Sequence, residues 1–207
     1  MKKKIIALML TTLFLVSCGK KEEPKKEETK TTESTKTEEK KEESNKQTPQ
    51  VEEKEGMKKT ILYTNKNINI TQKTDTINIK IPAVQVYKIE IKNDATAEYL
   101  ELEKNKEYLM FTFNAEVENT DDKTKYFNLG NSEIVTNTKE QLRPNYSASE
   151  DIDGTFLGKV IKKGHYTYVL QNTKFEDLKN ITLVFYGSSD DIARKGEQIK
   201  INIDLTK

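Results

Sequence analysis

Beyond residue 60, apolar residues fall at every second position in a series of short runs, each closed by Asn, Asp, Lys or Gly. Ile68 and Ile70 alternate, then Ile77, Ile79 and Ile81. Leu109, Phe111, Phe113, Ala115 and Val117 form the longest run, ended by the turn sequence Glu118-Asn119-Thr120-Asp121-Asp122. Tyr166, Tyr168 and Leu170 follow, then Ile181, Leu183 and Phe185, and last Ile199, Ile201, Ile203 and Leu205. A period of two is that of a strand with one face buried and one wet, so each run predicts an antiparallel strand. From Val84 to Ile91 the apolar phase moves from even to odd positions, which predicts a bulge within that strand. Val184 and Tyr186 lie on the face opposite Leu183 and predict a strand covered on both sides. Helical spacing occurs only around 95–104 and 175–179, stretches too short to form a layer. Many short strands with turns between them predict an all-β chain folded as an antiparallel sandwich. Pro82 and Pro144, the two prolines after Val51, stand outside the centres of these runs, where a missing N–H does least harm.

The first 59 residues are of another kind. Lys2, Lys3 and Lys4 precede an apolar stretch from Ile5 to Val16, shorter than the roughly 20 residues that span a bilayer, which reads as a signal peptide. The tetrapeptide Leu15-Val16-Ser17-Cys18 resembles the lipobox of bacterial lipoproteins. That resemblance implies cleavage before Cys18, a diacylglyceryl group on its sulfur, and a chain anchored to a membrane outside the cytoplasm. The alternative is an ordinary secretory signal with Cys18 near its cut. Gly19 does not select among inner membrane, outer membrane and Gram-positive surface. From Gly19 to Lys59 the chain is nearly all Lys, Glu, Thr, Ser, Gln and Pro, with only Val51 and Met57 appreciably apolar. Such a segment cannot offset its conformational entropy by burial and is expected to be disordered, with a reach of roughly 35 Å. A charged single helix is the competing reading. The expected organisation is thus a signal peptide over 1–17, a lipid-anchored linker over 18–59 and one sandwich domain over 60–207.

Charge narrows the function classes. With 35 basic and 34 acidic residues the net charge is +1, so no field of one sign collects nucleic acid, and a nucleic-acid partner is not expected. Cys18 is the sole cysteine, which leaves the mature domain without a disulfide or a thiolate metal site.

The segment Tyr108 to Asn119, then Tyr126-Phe127, the Ser132 to Thr136 strand, Lys163-Gly164-His165-Tyr166 and Ile181 to Tyr186, resembles a family of immunoglobulin-like (telokin-like) domains of unknown function. That family recurs in bacterial lipoproteins and is similar to a secreted mycobacterial immunoprotective antigen. The resemblance covers about residues 84–205, implies an immunoglobulin-like sandwich, and brings no catalytic residues with it.

Candidate chemistry is sparse. His165, the sole histidine, alternates onto the face of Thr167 and Val169, where it is either a metal ligand or general base, or a half-exposed strand residue. Glu150, Asp151 and Asp153 beside Gly154 supply oxygen ligands of the kind calcium takes, but without the spacing or distal Glu of an EF-hand loop; a solvated loop is the alternative. Asp121-Asp122 and Asp190-Asp191 are acid pairs in turns, and Ser188-Ser189 has no base nearby in sequence. Tyr87, Tyr99, Tyr126, Tyr146, Tyr166, Tyr168 and Tyr186 suit either sheet packing or recognition. No enzyme, cofactor or metal is expected. The reading is a monomeric envelope lipoprotein, attached through its lipid, that binds a protein or peptide partner through loops such as 137–155. An inhibitor of a protease or lysozyme presenting the same loop is the alternative.

Overall fold

The computed structural model describes residues 50–54, 56–152 and 154–206; the signal segment, Cys18, most of the linker and Asp153 lie outside them. The strands are β1 (Gln50–Lys54), β2 (Met57–Asn65), β3 (Ile70–Thr74), β4 (Ile77–Ile81), β5 (Val84–Ile91), β6 (Glu107–Asn119), β7 (Lys125–Tyr126), β8 (Glu133–Thr136), β9 (Gln141–Leu142), β10 (Thr155–Phe156), β11 (Ile161–Leu170), β12 (Asn180–Tyr186) and β13 (Gln198–Asp204). One helix, α1 (Asp94–Leu100), joins β5 to β6.

The long alternating run at Leu109–Val117 becomes the spine of the first sheet. β6 pairs along one side with β11 and along the other with β5 and β4 in succession, all antiparallel. β4 and β5 form one line of chain broken at Pro82-Ala83, where Asn114 N–H donates to Ala83 O at 3.0 Å and the proline has no N–H to offer. β3 and β2 pair outside that line, and β1 closes the edge on β2. The second sheet runs β13-β12-β8-β9, with β7 and β10 as a separate ribbon. The inner faces enclose one core in which Phe111, Phe113, Tyr166 and Tyr168 are fully buried, their neighbouring ring centroids 5.7–6.3 Å apart. The two buried tyrosines keep their hydroxyls satisfied: Tyr168 bonds Ser132 at 2.7 Å, and Tyr166 donates to Asp151 at 2.6 Å while accepting from Ile152 N–H at 2.9 Å. The chain is an antiparallel β-sandwich.

Three expectations change. The phase shift in β5 is not a bulge in that strand, since its register with β6 is unbroken from Val84–Phe113 to Glu90–Glu107. Val84 and Val86 face the main core, whereas Ile89 and Ile91 join Met110 and Leu100 in a second cluster beneath α1 on the opposite face. The irregularity lies in the partner strand, at Leu62 between Ile61 and Tyr63. β12 is buried on one face only, because Tyr186 is 39% exposed. Finally, the linker boundary drawn at Lys59 falls inside β2. The charged residues of β1 and of the start of β2 are ordered by cross-strand pairing, with Glu52 opposite Lys59, Glu53 opposite Lys58, and the Lys59 amine 4.0 Å over the Tyr87 ring.

Candidate functional site

Helix α1 begins where sequence chemistry dictates, with Asn93 as N-cap accepting from Thr96 N–H at 2.8 Å and Asp94 in the first turn. It stops at Glu101 in the left-handed conformation (φ 56°), which directs the 101–106 connection over the end of β6. Gly56 makes that placement feasible: a Cβ there would meet Thr96 Oγ1 at 2.0 Å. On the other side the chain leaving β9 crosses from the second sheet to the first and runs along the edge of β11 as a strap. Between the 101–106 connection and the strap lies an open cleft of about 680 Å³, within the size range of small-ligand sites. Leu102, Tyr108, Leu142, Tyr146 and Val169 supply its apolar surface, and Arg143 stands at its rim.

The strap is held at both ends. Glu140, largely buried, accepts from the N–H groups of Gln171, Asn172 and Thr173 at 2.7–3.0 Å and from Thr173 Oγ1 at 2.7 Å. Asn145 donates its side-chain amide to Leu100 O at 2.8 Å and its backbone N–H to Thr167 O at 2.7 Å, linking helix, strap and strand. Ser149 Oγ donates to Asn145 O at 2.7 Å and accepts from Thr167 N–H at 3.0 Å, while Glu150 and His165 exchange two backbone hydrogen bonds. The close crossing requires glycine at 164, where a Cβ would stand 2.2 Å from Glu150 O. Tyr146, 57% exposed, is fixed by donation from its hydroxyl to Gly130 O at 3.1 Å.

The charges around the cleft are largely matched: Lys106 with Glu103 at 3.0 Å, Glu107 with Lys88 at 2.7 Å, and Arg143 with Glu133 at 3.1 Å. Glu101 has no ion pair among the described residues. Main-chain pairing also leaves a gap. His165 and Thr167 turn their backbone groups away from β6 towards the strap, and Gln171 N–H points the same way to Glu140. Alternation in an antiparallel ladder puts Val169 in the same series. Its N–H and C=O have no hydrogen-bond partner among the described residues, and it lines the cleft.

The residues singled out in the sequence are not brought together. His165 Nε2 is 3.2 Å from Ala148 O and its Nδ1 is 3.6 Å from Glu150 Oε2, so the ring rests on the strap. Asp151 is engaged by Tyr166, Asp153 lies outside the described residues, and no group of three His, Cys, Asp or Glu among those described is placed to hold a metal. Ser188 donates to Thr74 O, Ser189 accepts from Asp191 N–H, and Asp122 pairs with Lys159 at 3.0 Å. Of the 137–155 segment, residues 145–150 lie against β11, while Gln141-Leu142 pair with β8 and Thr155 with Tyr126. Of the seven tyrosines named, Tyr146 is the one in the cleft.

Lys125 was not singled out by sequence. It is 5% exposed, with Nζ 2.5 Å from Asp190 Oδ1 and 2.5 Å from Asp75 Oδ2, clasping β7, the 189–191 turn and the β3–β4 turn. Hydrogen bonds to Asp190 and Asp75 hold its ammonium above the ordinary lysine range, and Lys125 holds the Asp75 carboxyl below the usual carboxylate range. With its charge matched by two carboxylates, this lysine is part of the scaffold.

No family model and no curated protein matches the chain. Among solved structures, a functionally unknown protein from Listeria monocytogenes EGD-e is similar in fold, with a TM-score of 0.54 at 12% identity over 71% of this chain and 87% of that one. A protein from Bacillus subtilis subsp. subtilis str. 168, ycdA, described as a candidate lipoprotein, aligns with a TM-score of 0.45 at 16% identity over 67% of this chain, which spans 39% of its length. The resemblance to the immunoglobulin-like family and to the mycobacterial antigen therefore stands on the quoted residues alone. Among the described residues no helix is long and apolar enough to cross a membrane.

Proposed function

We propose that this chain is a lipid-anchored envelope protein whose sandwich binds a partner in the cleft between Leu102 and Tyr146. The anchor rests on Lys2 to Cys18, where a charged start, a short apolar stretch and a lipobox-like tetrapeptide coincide. At about 0.8 kcal/mol per buried methylene, two acyl chains hold such a protein at a membrane with little exchange. The observation that carries the binding role is Tyr146: an exposed aromatic ring at a concave surface, on a strap fixed by Glu140 at one end and by Ser149 and Glu150 at the other. A recognition surface already held in place loses little entropy on association. In living cells carrying the full chain, a photo-crosslinking phenylalanine analogue at Tyr146 should yield a discrete adduct that Leu142→Glu abolishes. The same analogue at Tyr186, exposed on the second sheet, should not. No adduct at 146, or equal adducts at both positions, refutes the cleft as the binding surface.

A further inference from the structure

We infer that the occupant of this cleft is an extended peptide segment of a partner protein, held by main-chain hydrogen bonds to Val169. This rests on the cleft being the binding surface and adds the class of ligand. Along the edge of β11 the backbone groups of His165 and Thr167 and the N–H of Gln171 are taken up by Glu150, by Asn145 and Ser149, and by Glu140. Val169 breaks the series with a donor and an acceptor both free of partners among the described residues, and it does so where the cleft opens. A peptide residue in extended conformation presents a complementary C=O and N–H at the same spacing, which is how strand addition reads an exposed edge. Leu102, Leu142 and Tyr146 offer apolar surface to one side chain of such a segment. Glu101, the cleft carboxylate with no ion pair among the described residues, favours a Lys or Arg close by in the peptide's sequence. A glycan would use the Tyr146 ring but has no extended amide pair to match Val169.

The full chain in detergent micelles should therefore select, from an array of random heptapeptides, sequences with an apolar or aromatic residue near a basic one, and should select nothing from a glycan array. Val169→Pro removes the free N–H and leaves the β6 ladder whole, because that N–H does not point to β6. Binding of a selected peptide should fall about fivefold in Val169→Pro. A scan in which peptide amides are replaced one at a time by esters should find one position with a similar loss in the unaltered protein. That arm is independent of whether the proline variant folds. Peptide binding that Tyr146→Ala abolishes but that neither Val169→Pro nor any ester weakens overturns the main-chain inference while the cleft stands. Glycan binding sensitive to Tyr146→Ala overturns the peptide class. Binding of neither, or binding indifferent to Tyr146→Ala, overturns both this inference and the cleft.

Discussion

Glu140→Ala is the perturbation that tests most about how the strap is built. The carboxylate satisfies four donors: three consecutive backbone N–H groups at 171–173 and the Thr173 hydroxyl. Gln171 and Asn172 are exposed, so water replaces the acceptor there, whereas Thr173 is buried and loses partners for both its donors. At about 1.5 kcal/mol for each Thr173 donor and about 0.5 for each of the other two, less about 1 for side-chain order no longer required, the loss is about 3 kcal/mol. With a urea slope of about 2 kcal/mol per molar, the unfolding midpoint should drop by about 1.5 M at unchanged slope. Amides of 142–147 should also exchange faster, since this contact is one end of the strap. A loss under about 0.5 kcal/mol with unaltered exchange would show that the strap is held by other contacts.

Gly164→Ala forces a Cβ against Glu150 O and should cost about 2–3 kcal/mol in urea unfolding, with the strap displaced. The Lys125 clasp has a pH signature. The depressed Asp75 carboxyl contributes stability present above its unfolded pKa and lost as pH falls through the folded value, and the raised Lys125 contributes stability present below its unfolded pKa and lost as pH rises through the folded one. The stability difference between the native chain and Lys125→Met should be greatest near neutral pH and shrink both below about pH 4 and above about pH 10 in thermal melts. Removing both carboxylates by Asp75→Asn and Asp190→Asn should destabilise more than Lys125→Met, because it strands a buried ammonium. Cys18→Ala should move the protein from the membrane to the soluble fraction without changing its melting temperature.

The strands legible in the sequence as side chains alternating onto the common core were β4 to β6 and β11 to β13, while the Ile68-Ile70 run met β3 only at its first residue and β8 entered through the family resemblance. β1, β2, β7, β9 and β10 were not, because pairs such as Thr155-Phe156 and charged runs such as Gln50–Lys54 are ordered by their neighbours and carry no period of their own. The shift at Val84–Ile91 was visible as a break in phase, but one strand cannot say whether it bends or changes the face it buries. The cover over Ile89 comes from Leu100, and that is tertiary information. The cleft was only partly legible: the 137–155 segment and Tyr146 stood out, while Val169 was hidden. Its significance is a missing hydrogen bond, which depends on where Asn145 and Glu140 end in space.

Amide hydrogen exchange at Val169, measured residue by residue in the free protein and with a selected heptapeptide bound, tests the binding cleft most directly. The free N–H predicts exchange at Val169 clearly faster than at Thr167 and Gln171, whose N–H groups donate to Ser149 and Glu140, and slowing of several-fold once peptide is bound. Protection at Val169 equal to that at Thr167 in the free protein, or no change on adding the peptide, contradicts it.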